Sequence, residues 1–203
     1  MTEQRPLKLT AKGRRTRARI LEVAARLMYD NGVATSVDQV CAAAEVGKSQ
    51  FYHYFKDKSD LVYAVIKLQA DSVLRVQAPL LSDVHDLAGW RAWRNEIVQL
   101  QRHTDYWGAC PLGALAVELS GRDRLARHTL TASFDHWEDQ LGCALSRTVE
   151  SGALRRDIDV MALATYLLAA LQGGLVLCQA RGDVRPLEVS LDGALAQLAS
   201  HAA

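Results

Sequence analysis

The sequence predicts an all-α protein with a small three-helix head carrying a helix-turn-helix and a larger helical body behind it. Three observations carry that expectation. Apolar residues recur at helical spacing along most of the 203 residues, proline is scarce (four residues), and no alternating strand pattern of useful length is present. Charge is unevenly divided. Residues 1–58 hold eleven bases against six acids, a net of +5, whereas the remaining 145 hold thirteen against seventeen, a net of −4. A basic head on an acidic body suggests a polyanion partner for the head alone.

The first helix is expected over about Arg14 to Asp30. Ile20, Val23, Ala24, Leu27 and Met28 share one side of it, while Arg17, Arg19, Glu22 and Arg26 take the other. Asn31-Gly32 ends it, with Gly32 suited to the left-handed cap. Ser36 and Gln39 have the spacing of a capping box at the start of a second helix, which runs through Val37, Val40, Cys41 and Ala44. After Glu45-Val46-Gly47 comes a very short third helix, Lys48 to Phe55. Longer helices follow: about Ser59 to Leu80, ending against Pro79; Ala88 to His103; one opening at Pro111; Arg122 to Glu150; Val160 to Arg181; and Pro186 to His201. The boundary between the two domains is expected at residues 58 and 59.

On the third helix Phe51, Tyr54 and Phe55 fall at i, i+3 and i+4 and make an apolar stripe for the core, which forces Ser49, Gln50, Tyr52 and His53 outward. Such a set suits a major groove, where Gln and Ser read base edges and Tyr, His and Lys grip phosphates. Thr35, Lys48, Ser49, Gln50, Tyr52, His53 and Lys58 are the expected contacts to double-stranded DNA. A solvated turn between two helices is the plainer alternative for this stretch.

With those residues in view, the sequence resembles the tetracycline-repressor (TetR) family. The likeness runs through Thr16 to Leu21, Gly32, Thr35-Ser36-Val37 and above all Phe51-Tyr52-His53-Tyr54-Phe55-Lys56-Asp57-Lys58, covering about residues 14 to 62. It implies a homodimer of all-helical subunits whose C-terminal domain binds an inducer and releases operator DNA. Glu45 and Ser49 stand where that family usually has glycine, and Gly47 where a serine caps the recognition helix. A left-handed Glu45 would cost about 1 kcal/mol.

Ser151 to Asp159 is similar to the family's turn before two last helices that pair across the dimer axis. Leu167, Leu171, Gly174 and Leu195 are the expected interface residues, and Gly173 beside Gly174 suggests close approach of another helix, from a partner or from the same chain. Gly108 to Gly113 resembles a subgroup that includes repressors of multidrug-resistance genes. Trp93, Trp107, Cys110, Leu112, Leu115, Phe134, Trp137 and Leu141 are expected to wall a ligand cavity, with ordinary core packing as the alternative.

The cysteines, Cys41, Cys110, Cys143 and Cys178, lie 69, 33 and 35 residues apart with no ligand-spaced histidine, which disfavours zinc and a disulfide framework. A soluble cytoplasmic protein with reduced thiols, without cofactor or metal, is expected. A redox or electrophile switch through Cys110 or Cys143 is a second reading. An enzyme is a third, disfavoured by scattered histidines and the lack of a nucleophile elbow, phosphate loop or Cys/His dyad. His128 and His136, with Asp135 and Asp139 nearby on one helix, could seat a metal, against the simpler reading of a solvated face.

Overall fold

The structure is a computed structural model that describes residues 9–103 and 110–203. Among the described residues it holds nine helices and no strand. By compactness the chain divides into residues 1–69 and 70–203.

The first unit contains α1 (Ala11–Asn31), α2 (Val37–Ala43), α3 (Lys48–Tyr54) and the start of α4 (Lys58–Ser82). Thr10 caps α1 by accepting from Gly13 N at 3.1 Å, which starts the helix three residues earlier than its periodicity suggested. The expected capping box opens α2: Ser36 Oγ accepts from Gln39 N at 3.2 Å and Gln39 Oε1 from Ser36 N at 2.7 Å. Two aspartates open α4. Asp57 Oδ1 accepts from Asp60 N, and Asp60 Oδ2 reaches back to Lys56 N. Ile20, Ala24, Met28, Val40, Phe51, Phe55, Leu61 and Ile66 fill the core of this unit, removing one face of every helix from water.

The chain passes into the second unit within α4, which continues through Pro79 to Ser82 rather than stopping there. Proline deletes one hydrogen bond of the last turns, a loss that tertiary contacts can offset. Here the Arg147 guanidinium donates to the carbonyls of Leu81 and Val84, and Ser82 Oγ donates to Pro79 O. These bonds supply the ends that sequence periodicity alone left open.

The second unit adds α5 (Leu87–His103), α6 (Pro111–Leu119), α7 (Arg124–Glu150), α8 (Val160–Arg181) and α9 (Arg185–Ala199). Asp123 caps α7 by accepting from Leu125 N and Ala126 N, and Gly182 closes α8 in the left-handed conformation at φ 62°. The helices α7, α8 and α9 pack as neighbours, and α5 is tied to α9 by Arg94–Asp192 and Arg102–Glu188 ion pairs at 2.8 and 2.6 Å. Trp90 and Trp93 are buried, and each indole N–H is satisfied, by Thr148 Oγ1 and Gln77 Oε1 respectively.

Gly174 corrects one expectation. A Cβ there would lie 2.9 Å from Leu187 Cα and 2.9 Å from Ser190 Oγ, so this glycine serves the crossing of α8 with α9 inside one chain. Leu167 and Leu171 are likewise buried within the chain, because the α8 face they occupy is already spent on intrachain packing, and Leu195 on α9 is half-buried. Gly173, by contrast, faces open space. Gly174→Ala should therefore destabilise the fold by about 1–3 kcal/mol, because a backbone atom cannot move aside as a side chain does. Chemical denaturation at fixed protein concentration reads this directly, and an unchanged midpoint would show that the helices can separate freely.

Candidate nucleic-acid interface and sensor site

The turn between α2 and α3 is set by backbone bonds: Ala44 N to Val40 O, Glu45 N to Ala42 O, and Val46 N to Cys41 O at 3.0 Å. Closing it requires a left-handed residue, and Glu45 takes that role at φ 51°, the one non-glycine in that region among the described residues. Gly47 follows as the N-cap of α3 without a side-chain bond. The cap is therefore weaker than a serine would make it.

Phe51 and Phe55 are buried and 5.5 Å apart between ring centroids, while the Arg17 guanidinium sits 5.0 Å above the Phe55 ring. Burying that edge turns the other one out. Lys48, Ser49, Gln50, Tyr52 (54% exposed) and His53 all face solvent, and Lys58 is half-buried at the first turn of α4. Tyr52 stands edge-on to Phe51 at 5.2 Å and His53 edge-on to Tyr54 at 4.9 Å, so both outward rings rest on inward ones. Lys48 pairs with Asp38 at 2.8 Å, and the hydrogen bond to that carboxylate holds its ammonium above the usual lysine range. It is thus a cation anchored to α2.

Thr35 is different. At 4% exposure it is buried, and its hydroxyl is shared between the carbonyls of Gly32 at 2.9 Å and Leu27 at 3.2 Å. It braces the α1–α2 turn and presents nothing to a groove. Lys56, between Phe55 and the α4 cap, is also exposed, and its backbone N–H donates to Asp60 Oδ2.

The expected ligand-cavity residues fall on three helices of the second unit. Trp93 lies on α5, Cys110, Leu112 and Leu115 at or in the first turns of α6, and Phe134, Trp137 and Leu141 on α7. All are buried except Phe134, which is intermediate. Trp107 lies outside the described residues, as do Gly108 and Ala109 of the stretch that resembled a subgroup. Cys110 is the N-cap of α6. Burial pushes its thiol up, offset in part by the Gln172 amide and the backbone N–H groups of Gly113 and Leu112. Burial also raises Cys41 and Cys178, whereas Cys143 is exposed. On α7, His128, His136, Asp135 and Asp139 are all exposed, and no group of three or more metal-binding side chains occurs among the described residues.

Glu45→Gly should raise stability by about 1 kcal/mol by removing left-handed strain. It should also tighten binding to every DNA sequence alike, since an acid beside the groove-facing helix is lost. Denaturant midpoints and binding isotherms on operator and random DNA test both halves; a loss of stability would contradict the strain argument.

Comparison with known proteins places this geometry. Residues 20–65 match the model of bacterial regulatory proteins of the tetR family, and residues 89–193 match the tetracyclin repressor-like C-terminal domain. The HTH-type transcriptional repressor DhaR of Mycobacterium sp. (strain GP1) is 27% identical over 173 residues, covering 85% of this chain and 86% of that one. A TetR-family regulator from Cytophaga hutchinsonii superposes with a TM-score of 0.84 at 19% identity, over 96% of this chain and 98% of the other. One from Chloroflexus aurantiacus J-10-FL gives 0.83 at 22% identity, over 95% and 98%. At such identities the structures speak for the fold, and the two family models for the membership. An N-terminal helix-turn-helix with an outward polar face, joined to an all-helical C-terminal domain, makes this chain a member of the TetR family of DNA-binding transcriptional regulators.

Proposed function

We propose that the protein is a homodimeric repressor that leaves a palindromic operator when a small apolar or aromatic molecule enters its C-terminal domain. The outward face of α3 carries this reading: five polar or ionisable side chains in a row of six, backed by two buried phenylalanines. Ser49 and Gln50 are assigned to base edges, and Lys48, Tyr52, His53, Lys56 and Lys58 to phosphates. The Mycobacterium relative is named a repressor, which supports that sign of regulation.

Dimerisation is assigned to the surface that α8 and α9 leave uncovered. The helix α8 is apolar on all sides, with a mean hydropathy of 1.9 over 18 residues that by length and composition would also suit a membrane. Its inner face packs on α7 and α9, and Tyr166, Gly173, Val176 and Leu177 remain exposed, with Val189 and Gly193 on α9. The α8 residues recur at three- and four-residue spacing, and no side chain lies within reach of a Cβ built at Gly173 or Gly193. A second copy approaching closely along these stripes would cover them by an isologous contact. It would also set two α3 helices about 34–36 Å apart for successive major grooves.

Leu177→Glu should give a monomer that keeps its helical content and loses operator affinity, because each head alone makes half the contacts. Light scattering with circular dichroism reads this; a dimer of unchanged tightness would move the interface elsewhere. Gln50→Ala should cost about 1–3 kcal/mol on operator and little on random DNA. Lys58→Ala and Tyr52→Phe should weaken both and flatten the salt dependence. Equal losses on both DNAs for all three variants would contradict the division of roles.

The redox reading loses ground at Cys110, whose buried thiol is held protonated at neutral pH and so is a poor nucleophile. Iodoacetamide at pH 7 should label Cys143 first and Cys110 slowly. Fast labelling of Cys110 coupled to loss of operator binding would restore that reading.

A further inference from the structure

The end of α7 grips the junction between α4 and α5. The Arg147 guanidinium donates from Nη2 to Leu81 O and from Nε to Val84 O, the second at 3.3 Å. One turn on, Ser151 Oγ donates to His85 O at 2.5 Å, and Thr148 Oγ1 accepts from Trp90 Nε1 at 3.0 Å. Three residues of α7 and its cap thus hold the stretch 81–90 at four points, across 58 to 66 positions of sequence. The stretch is also tight within itself. Asp86 Oδ1 accepts from Gly89 N at 2.7 Å, and a Cβ on Gly89 would stand 3.3 Å from Val84 Cα.

The grip falls where α4 is weakest. Pro79 has no N–H, so the last turns of α4 lack the bond that would run to Arg75 O. The half-buried Arg147 forms no ion pair among the described residues and places its charge at the negative end of the α4 dipole instead. Two acceptors on separate residues suit the fixed fork of a guanidinium better than the single ammonium of a lysine.

The other end of α4 belongs to the DNA-binding unit. At about 1.5 Å per residue its 25 residues make a rod of about 37 Å, so a tilt of about 5° at the held end moves the far end by about 3 Å, close to the rise of one base pair. Resting on the reading of the chain as a homodimer on a palindromic operator, we propose that Arg147 is a positioning residue for operator recognition. By fixing the end of α4 on α7 it sets the half-site spacing that the protein accepts, although it lies outside the DNA-binding unit. Without its two bonds the end of α4 is loose, and operator binding must order it, which costs affinity for the correctly spaced operator and relaxes the choice of spacing.

The test uses the full-length protein and an operator selected from random duplexes with the wild type. Fluorescence anisotropy gives affinities for three DNAs: that operator, the same operator with one base pair inserted at its centre, and a duplex with a single half-site. The wild type should bind the inserted duplex at least about 10-fold more weakly than the operator. In Arg147→Met, which keeps the apolar stem and loses the donors, that preference should fall to about 3-fold or less while single-half-site affinity stays unchanged, because one head needs no set spacing. Arg147→Lys should fall between the two, and it carries the test if circular dichroism shows the methionine variant unfolded. An unchanged spacing preference in the folded variants would overturn the proposal. So would an equal loss on all three DNAs, which is what a purely structural role predicts. A wild type that is monomeric by light scattering, or that selects no palindrome, would overturn the dimeric reading itself and the proposal with it.

Discussion

Burial of Phe51 and Phe55 is the constraint from which the DNA-facing surface follows. A helix of seven residues cannot hold itself together in water, because nucleation costs more than so few hydrogen bonds return. Only a tertiary anchor makes α3 persist, and that anchor uses one edge of the helix. The opposite edge is then fixed in rotation to within the tolerance of a packed core, so Gln50 and Tyr52 point outward because Phe51 and Phe55 cannot. Arg17 above the Phe55 ring and the Asp57–Asp60 cap at the start of α4 both stand at the C-terminal end of the same short element.

That dependence also explains why a strained residue persists beside it. The α2–α3 turn must reverse direction within a few residues, and Glu45 adopts φ 51° to do so at a cost of about 1 kcal/mol. The surrounding contacts over-determine the turn: three backbone bonds close it, and the Lys48–Asp38 pair spans it. Strain stored at a functional turn is tolerated when the packing on either side leaves the chain no cheaper route.

Most of the helix plan was legible because it rests on local chemistry. The α2 capping box, the Gly32 ending of α1, the Pro111 start of α6 and the span of α8 all follow from residues within a turn of the boundary. The differences came from contacts that periodicity does not show, some of them across long separations. Nothing near Pro79 announces that Arg147, 68 positions later, will satisfy the carbonyl ends of α4 and let it run on. Thr35 reads as an exposed polar residue beside a DNA-binding helix, and only the fold shows its hydroxyl turned toward Leu27 and Gly32. In α8, which is apolar all round, periodicity cannot tell an intrachain face from an open one. Hence Leu167, Leu171 and Gly174 were indistinguishable in the sequence from Tyr166, Gly173 and Leu177.

The two families of unfilled capacity in the second unit differ in kind, and the difference bears on regulation. An uncovered apolar stripe on α8 and α9 lowers its free energy against any complementary surface, and a second copy supplies one at all times. Buried polar atoms without partners on α7, Trp137 Nε1 and Gln140 Oε1, are selective: only a group with matching polarity relieves them, and a mismatched one adds a further penalty. On the proposed reading, a permanent contact with a second copy and a conditional one with a ligand would be built from neighbouring helices. The conditional contact can act on DNA affinity only by favouring one arrangement of the heads over another. Since α4 belongs to both compact units, a change in its second half need not travel through any separate linker to reach its first. Reciprocity then requires operator DNA to weaken ligand binding by the same factor by which ligand weakens operator binding.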